Sequence, residues 1–176
     1  ISVKKMFKEV AEKFGRIDVL VNNAGINHTA DFDKQTDEEW DEVIDVNISG
    51  VFRCCQEVLP HISDFGRIIN IGSLSGEYGG PSTPSYAAAK QGIIALTHNV
   101  ARFLGKRNIC VNTLAPGGTD QEIDRLGPDA TPEDTRAFGR RGVPNDLTGT
   151  VVFLLSEDSN FITGQLIAVN GGKEVS

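Results

Sequence analysis

Val3, Phe7, Val10, Ala11 and Phe14 recur at helical spacing, with lysines and glutamates between them, and Gly15 ends the run. The pattern predicts an amphipathic helix over 3–14. Positions 17–21 are almost continuously apolar, as in a short strand buried on both faces, and Asn22-Asn23-Ala24-Gly25 closes it. A second helix is expected to begin at Thr36, with Glu39 completing a capping box. It continues through Trp40, Val43, Ile44, Val51, Phe52 and Val58 to position 59, and Gly50 marks a bend or a close contact within it. Strands follow at 67–71, 109–114 and 165–169, helices at 85–104 and 146–155, and a Gly/Ser/Pro-rich loop at 72–84. Strands alternating with helices of ten or more residues imply a parallel sheet with helices on both faces.

The 176 residues, 39% hydrophobic and 23% charged, suit a single soluble domain spanning 1–176. No apolar run approaches the roughly 18 residues that cross a bilayer, and the first residues lack the order of a secretory signal. Cys54, Cys55 and Cys110 are odd in number and two are adjacent. They suggest no disulfide framework, so a reducing cytoplasm is the expected compartment. His28, His61 and His98 are scattered without metal spacing, and no metal site is expected. A net charge of -7 without a long basic run argues against nucleic-acid and membrane partners.

Tyr86 and Lys90 stand four apart at the start of a predicted helix, which puts them on one face. An ammonium beside a phenol favours the phenolate, so the pair can exchange a proton with a carbonyl or an alcohol. Ser73 ends a predicted strand, where open α/β sheets place their ligands. A lone Tyr-x-x-x-Lys also describes a surface tyrosine beside a solvated lysine, and as a short motif it is weak. No Gly-x-Ser-x-Gly elbow surrounds Ser73, which counts against a hydrolase. Cys54 and Cys55 read as packing residues.

Four further features accompany the pair: Asn22-Asn23-Ala24-Gly25, Asn47 within Asp45-Val46-Asn47-Ile48-Ser49-Gly50, Ser73 after Ile68-Ile69-Asn70-Ile71-Gly72, and Pro116-Gly117. Together with Thr163-Gly164-Gln165 and Val169-Asn170-Gly171-Gly172 they resemble the short-chain dehydrogenase/reductase family, in order and along essentially the whole chain. The resemblance implies a Rossmann-like, doubly wound α/β sheet that uses NAD or NADP. It makes Tyr86 the general acid/base and Lys90 the holder of the nicotinamide ribose. Ser73 then orients the substrate carbonyl, and Asn47 anchors a water linking Lys90 to solvent; a polar residue bonding backbone inside a long helix is the other reading of Asn47. Asn22, Ala24 and Gly25 line the cofactor cleft, although Asn side chains also stabilise a plain strand-to-loop turn. Pro116 and Gly117 shape the nicotinamide pocket, with Thr119 near it in a shifted register.

No Gly-x-x-x-Gly-x-Gly or Gly-x-Gly-x-x-Gly precedes Ile17. Against the family pattern the chain is therefore expected to be a fragment lacking the first strands and the glycine-rich turn, where NAD and NADP are distinguished. Residues 119–142 occupy the position of the family's substrate lid, with Ile123, Leu126 and Phe138 able to cover an apolar pocket among many charges. Several segments are similar to 3-oxoacyl-[acyl-carrier-protein] reductases, which implies an acyl-carrier-protein thioester as substrate. Arg107 stands where such enzymes keep a docking arginine, and Asp64 stands where they keep another. An exposed charge at a helix C-terminus also accounts for Arg107. The alternatives are a small-ketone or secondary-alcohol dehydrogenase of the same family, and an inactive remnant serving as a folding or interaction module. A homodimer or homotetramer through the long helices is implied as well.

Overall fold

The computed structural model describes residues 2–119 and 136–173. Helix α1 (Val3–Phe14) leads into β1 (Ile17–Asn22). Thr36 caps α2 (Asp37–Ile44) by accepting from the Glu39 N–H, while the Glu39 carboxylate accepts from the Thr36 N–H. The predicted long helix then passes through a single π turn, Asp45–Ser49, before α3 (Gly50–Val58). Its irregularity is thus that turn around Asn47, and a side chain at Gly50 would meet only ordinary contact.

Strand β2 (Ile62–Ile71) starts earlier than expected and is followed by a short helix, α4 (Ser75–Tyr78), within the predicted loop. Helix α5 (Pro84–Leu104) leads to β3 (Cys110–Pro116), then α6 (Pro144–Leu155) and β4 (Leu166–Val169). The four strands are parallel in the order β1-β2-β3-β4. No described helix is long and apolar enough to cross a membrane.

Two apolar clusters divide the sheet by face. Ile68 and Val111 pack with Phe7, Val51, Cys55, Val58 and Ile93 from α1, α3 and α5. Ile69 and Leu114 pack with Leu154, Val151 and Leu147 from α6. Helices therefore cover both faces, but not evenly. Val19 and Val21 are 39% and 40% exposed, so β1 is not the doubly buried strand its composition suggested. Leu20 joins the first cluster, whereas α6 packs chiefly on β2, β3 and β4 among the strands. Phe14 likewise leaves the apolar stripe of α1, 67% exposed, with the Lys13 ammonium over its ring.

Candidate active site

A cleft opens at the C-terminal ends of the strands, lined by Gly25, Ile26, Ser73, Tyr78, Tyr86, Lys90, Pro116, Gly117 and Thr119 among others. Parallel strands deliver these residues to one edge because their carbonyl ends all face the same way.

Pro84 begins α5, where its missing N–H removes no helical bond, and Tyr86 and Lys90 follow in the first turns. Lys90 is 4% exposed. Its Nζ donates to the Ile71 carbonyl at 2.8 Å and lies 5.5 Å from the centre of the Tyr86 ring. Burial lowers its pKa to about 8.

Ser73 follows β2 and its Oγ accepts from the Ser75 N–H at 3.1 Å. That bond leaves the hydroxyl hydrogen available to a ligand. Helix α4 lies directly on α5 at Gly76, where a Cβ would come 2.8 Å from the Gln91 nitrogen and 2.9 Å from the Lys90 carbonyl carbon. Glycine at this point lets the Ser73 segment approach Lys90.

Asn47 is fully buried in the π turn. Its Oδ1 accepts from the Ile26 N–H at 2.9 Å, and its Nδ2 donates to the Ile26 carbonyl at 2.7 Å. It thus pins the loop that forms one cleft wall. Gly25 lets the loop backbone pass close to both side chains, since a Cβ would sit 2.9 Å from Asn47 Oδ1 and 3.4 Å from Lys90 Nζ.

The remaining expected residues divide. Leu74 N–H bonds the Pro116 carbonyl at 3.3 Å, Gly117 N–H bonds the Val169 carbonyl at 3.0 Å, and the Thr119 hydroxyl donates to the Gly117 carbonyl at 3.0 Å. Ala24 is exposed and outside the cleft lining. Asn22 also stands outside it, and its Nδ2 donates to Asn70 Oδ1 at 2.8 Å within the sheet. Asn70 in turn donates to Thr97 Oγ1 at 2.9 Å, and Thr113 donates to that same oxygen at 2.8 Å.

Sequence reasoning missed this buried polar row. The signal for it is the asparagine inside Ile68-Ile69-Asn70-Ile71 and the Asn112-Thr113 pair inside the next apolar strand. It also missed Tyr78 and Lys173, which line the cleft. Of the expected lid, 120–135 lies outside the described residues, including Asp120, Glu122, Ile123, Asp124, Arg125 and Leu126. Phe138 lines a small pocket beside the cleft with Leu147 and Val169.

Arg107 is not the loosely held surface charge that docking requires. Its Nε donates to Asp64 at 2.7 Å, and its guanidinium also donates to the carbonyls of Leu59 and Ile62. It clamps the turn before β2. Cys55 is held as a thiol, since burial raises its pKa to about 12.

The sequence profile of the family described as Enoyl-(Acyl carrier protein) reductase matches residues 1–174. The chain is 40% identical over 175 residues to the 3-oxoacyl-[acyl-carrier-protein] reductase FabG of Thermotoga maritima, covering 97% of this chain and 71% of that protein. It is 43% identical to the protein of the same name from Staphylococcus epidermidis, covering 97% and 72%. The crystal structure of landomycin C-6 ketoreductase LanV with bound NADP and rabelomycin superposes with a TM-score of 0.85 at 31% identity, covering 97% of this chain and 67% of that one. With the fold, the strand-end cleft and these matches in agreement, the chain belongs to the short-chain dehydrogenase/reductase family of NAD(P)-dependent oxidoreductases.

Proposed function

We propose that Tyr86, Ser73 and Lys90 form the proton-transfer centre of a carbonyl reductase that also runs in reverse as an alcohol dehydrogenase. The observation that carries this reading is the tethered Lys90 ammonium, buried beside Tyr86 and aimed by the Ile71 carbonyl. Gly25, Ser73, Tyr86 and Lys90 line one cleft, which supports binding of a nicotinamide ribose beside the Lys90 ammonium. A Cβ at Gly25 would press on Asn47 and Lys90, so glycine there leaves the ammonium undisturbed for the ribose hydroxyls. When bound, the nicotinamide supplies or accepts the hydride at the carbonyl carbon.

In the reducing direction Tyr86 gives its hydroxyl proton to the carbonyl oxygen. Ser73 donates its free hydroxyl hydrogen to that same oxygen, holding the carbonyl in line and stabilising charge as it grows. Lys90 keeps one N–H on Ile71, and its remaining N–H groups would hold the ribose hydroxyls of a bound nicotinamide beside Tyr86. Asn47 fixes Ile26 and so the cleft wall opposite, a role compatible with a backbone-anchored water that returns protons to Lys90. Pro116 and Gly117 fix the wall at the end of β3, and Thr119 stiffens the Gly117 carbonyl.

Two substrate classes follow. The names of the two FabG relatives support a 3-oxoacyl thioester carried by an acyl-carrier protein. The engagement of Arg107 with Asp64 and two backbone carbonyls favours the second class, a small ketone or secondary alcohol, because it removes one docking cation. A homodimer or homotetramer belongs to the same proposal, supported by Phe52 on α3 and Phe103 on α5, 49% and 70% exposed. A cytoplasmic setting is supported by three unpaired thiols.

The test is NAD(P)H-dependent turnover of an acetoacetyl carrier thioester and of small ketones, by wild type and by Tyr86→Phe. Turnover that survives Tyr86→Phe at the wild-type rate overturns the assignment of the acid.

A further inference from the structure

Thr83 stands where a capping hydroxyl for α5 is expected, yet its side chain makes no capping bond. Its hydroxyl donates instead to the Gly80 carbonyl at 3.1 Å. The cap comes from a distant loop. Gln35 Oε1 accepts from the Ser85 N–H at 3.2 Å, and Gln35 Nε2 donates to Ser85 Oγ at 2.8 Å. One amide thus holds both the N–H and the hydroxyl of the residue immediately before Tyr86. Ser85 is fully buried, so water does not replace Gln35 there without cost.

A second contact ties the same two segments. Ala30 N–H donates to the Ser82 carbonyl at 2.9 Å, and Ser82 Oγ donates to Asp31 Oδ1 at 3.0 Å. Ser82 has φ 51°, a left-handed conformation that costs a serine energy and that these two bonds hold in place. The Asp31 carbonyl accepts from the N–H groups of Lys34 and Gln35 at 2.9 and 3.2 Å, closing the turn that carries Gln35. Segments 30–35 and 82–85 are therefore clasped on either side of Pro84. Lys90, one turn beyond Tyr86, has its own tether at the Ile71 carbonyl. Releasing the clasp frees the first turn of α5 while that tether holds, so it changes where the Tyr86 phenol lies relative to the Lys90 ammonium.

We propose that Gln35 is a positioning residue for the reaction: its clasp on Ser85 holds the first turn of α5 so that the Tyr86 hydroxyl meets the carbonyl oriented by Ser73. The proposal rests on the reading of Tyr86 as the acid.

The experiment compares two substitutions. Gln35→Met keeps the length of the side chain and loses both polar atoms. Gln35→Glu still accepts from the Ser85 N–H, and the Ser85 hydroxyl can turn to donate to the carboxylate. Gln35→Met is expected to lower kcat by about 10–100-fold, the scale of an ångström-sized misplacement, with KM within about twofold of wild type. Gln35→Glu is expected to recover most of that loss. The chain has two tyrosines, Tyr78 and Tyr86, so NMR of isotope-labelled tyrosine gives two ring signals, assigned with Tyr86→Phe. The Tyr86 signal should shift or broaden in Gln35→Met and return in Gln35→Glu. Wild-type kcat in Gln35→Met, a Tyr86 signal that does not move, or a loss that Gln35→Glu leaves unrecovered overturns the proposal. If Gln35→Met does not fold, Ser85→Ala decides, because it keeps the N–H bond and removes only the hydroxyl. A smaller fall in kcat with a moved Tyr86 signal is then expected, and the absence of both overturns the proposal. The signal needs no turnover. If it follows Gln35 in a protein whose turnover survives Tyr86→Phe, the assignment of the acid fails and the clasp stands.

Discussion

Replacing Lys90 with methionine should separate what the ammonium does for chemistry from what it does to the fold. The group is 4% exposed and its pKa falls from 10.5 to about 8 because burial disfavours the charge. Each unit corresponds to about 1.4 kcal/mol, so below pH 8 the folded protein bears a penalty of roughly 3 kcal/mol relative to a neutral amine. The direction follows from proton counts. Between pH 8 and 10.5 the unfolded chain holds this proton and the native chain does not, so the Lys90 contribution to stability improves as pH rises and is lost as pH falls through about 8. Methionine removes the penalty but leaves the Ile71 carbonyl without its donor at every pH, a loss of about 1–3 kcal/mol. Lys90→Met should therefore equal or exceed wild-type stability at pH 7. It should lose about 2 kcal/mol relative to wild type by pH 9.5, while turnover is abolished throughout. Urea unfolding followed by the fluorescence of Trp40, the one tryptophan in the chain, reads the difference at each pH. A stability difference that stays flat from pH 7 to 9.5 would refute the account of Lys90 as a desolvated cation.

Tyr86→Phe should lower kcat by about 10²–10⁴-fold with unfolding unchanged, since it removes the proton and little packing; stopped-flow turnover and a urea curve check both. Gly25→Ala places a Cβ 2.9 Å from an Asn47 oxygen already bonded to Ile26, and should cost about 1–3 kcal/mol together with cofactor affinity. Unfolding and NADP titrations that match wild type would show that the loop tolerates a side chain there and refute the crowding. Asn70→Leu takes from buried Asn22 its amide acceptor and from Thr97 one of its two donors, and should destabilise by about 1–3 kcal/mol. Arg67 is 5% exposed and donates to the carbonyls of Phe65, Gly66 and Ser156 and to Asn160. Arg67→Met should destabilise the β2 end of the sheet by several kcal/mol, read as a drop in Tm.

What could be read from the sequence was local or periodic. The helix over 3–14, the Thr36 capping box, the positions of the strands and the Tyr86–Lys90 spacing each depend on neighbours a few positions apart, and each reappears in the structure, although Phe14 leaves the apolar stripe. The losses came where distant segments meet. The exposure of Val19 and Val21 depends on which strands α6 covers, and no pattern within 17–21 encodes that. Arg107 looked like an exposed charge because its acceptors, Asp64 and the carbonyls of Leu59 and Ile62, lie more than forty positions earlier. Asn22 stood in the right motif, yet its partner Asn70 comes from the adjacent strand and takes it out of the cleft lining. Tyr78 and Lys173 stand 95 positions apart, so only the fold shows them as one feature.

The polar row and the proton-transfer centre are built on the same pieces of chain. Asn22, Asn70 and Thr113 are register partners across three strands, and Thr97 reaches them from α5. Two turns earlier on that helix stands Lys90, whose acceptor is the residue after Asn70. A slip of one residue in β2 would exchange Asn70 for Ile69 or Ile71 and leave buried amides and hydroxyls unpaired at several kcal/mol. The row therefore fixes the register that an all-aliphatic strand would specify only by packing. Fixing that register also sets where the Ile71 carbonyl meets the ammonium and where Ser73 leaves the strand. In this fold the precision of the chemistry comes from polar groups buried beneath the cleft, one residue away from those that line it.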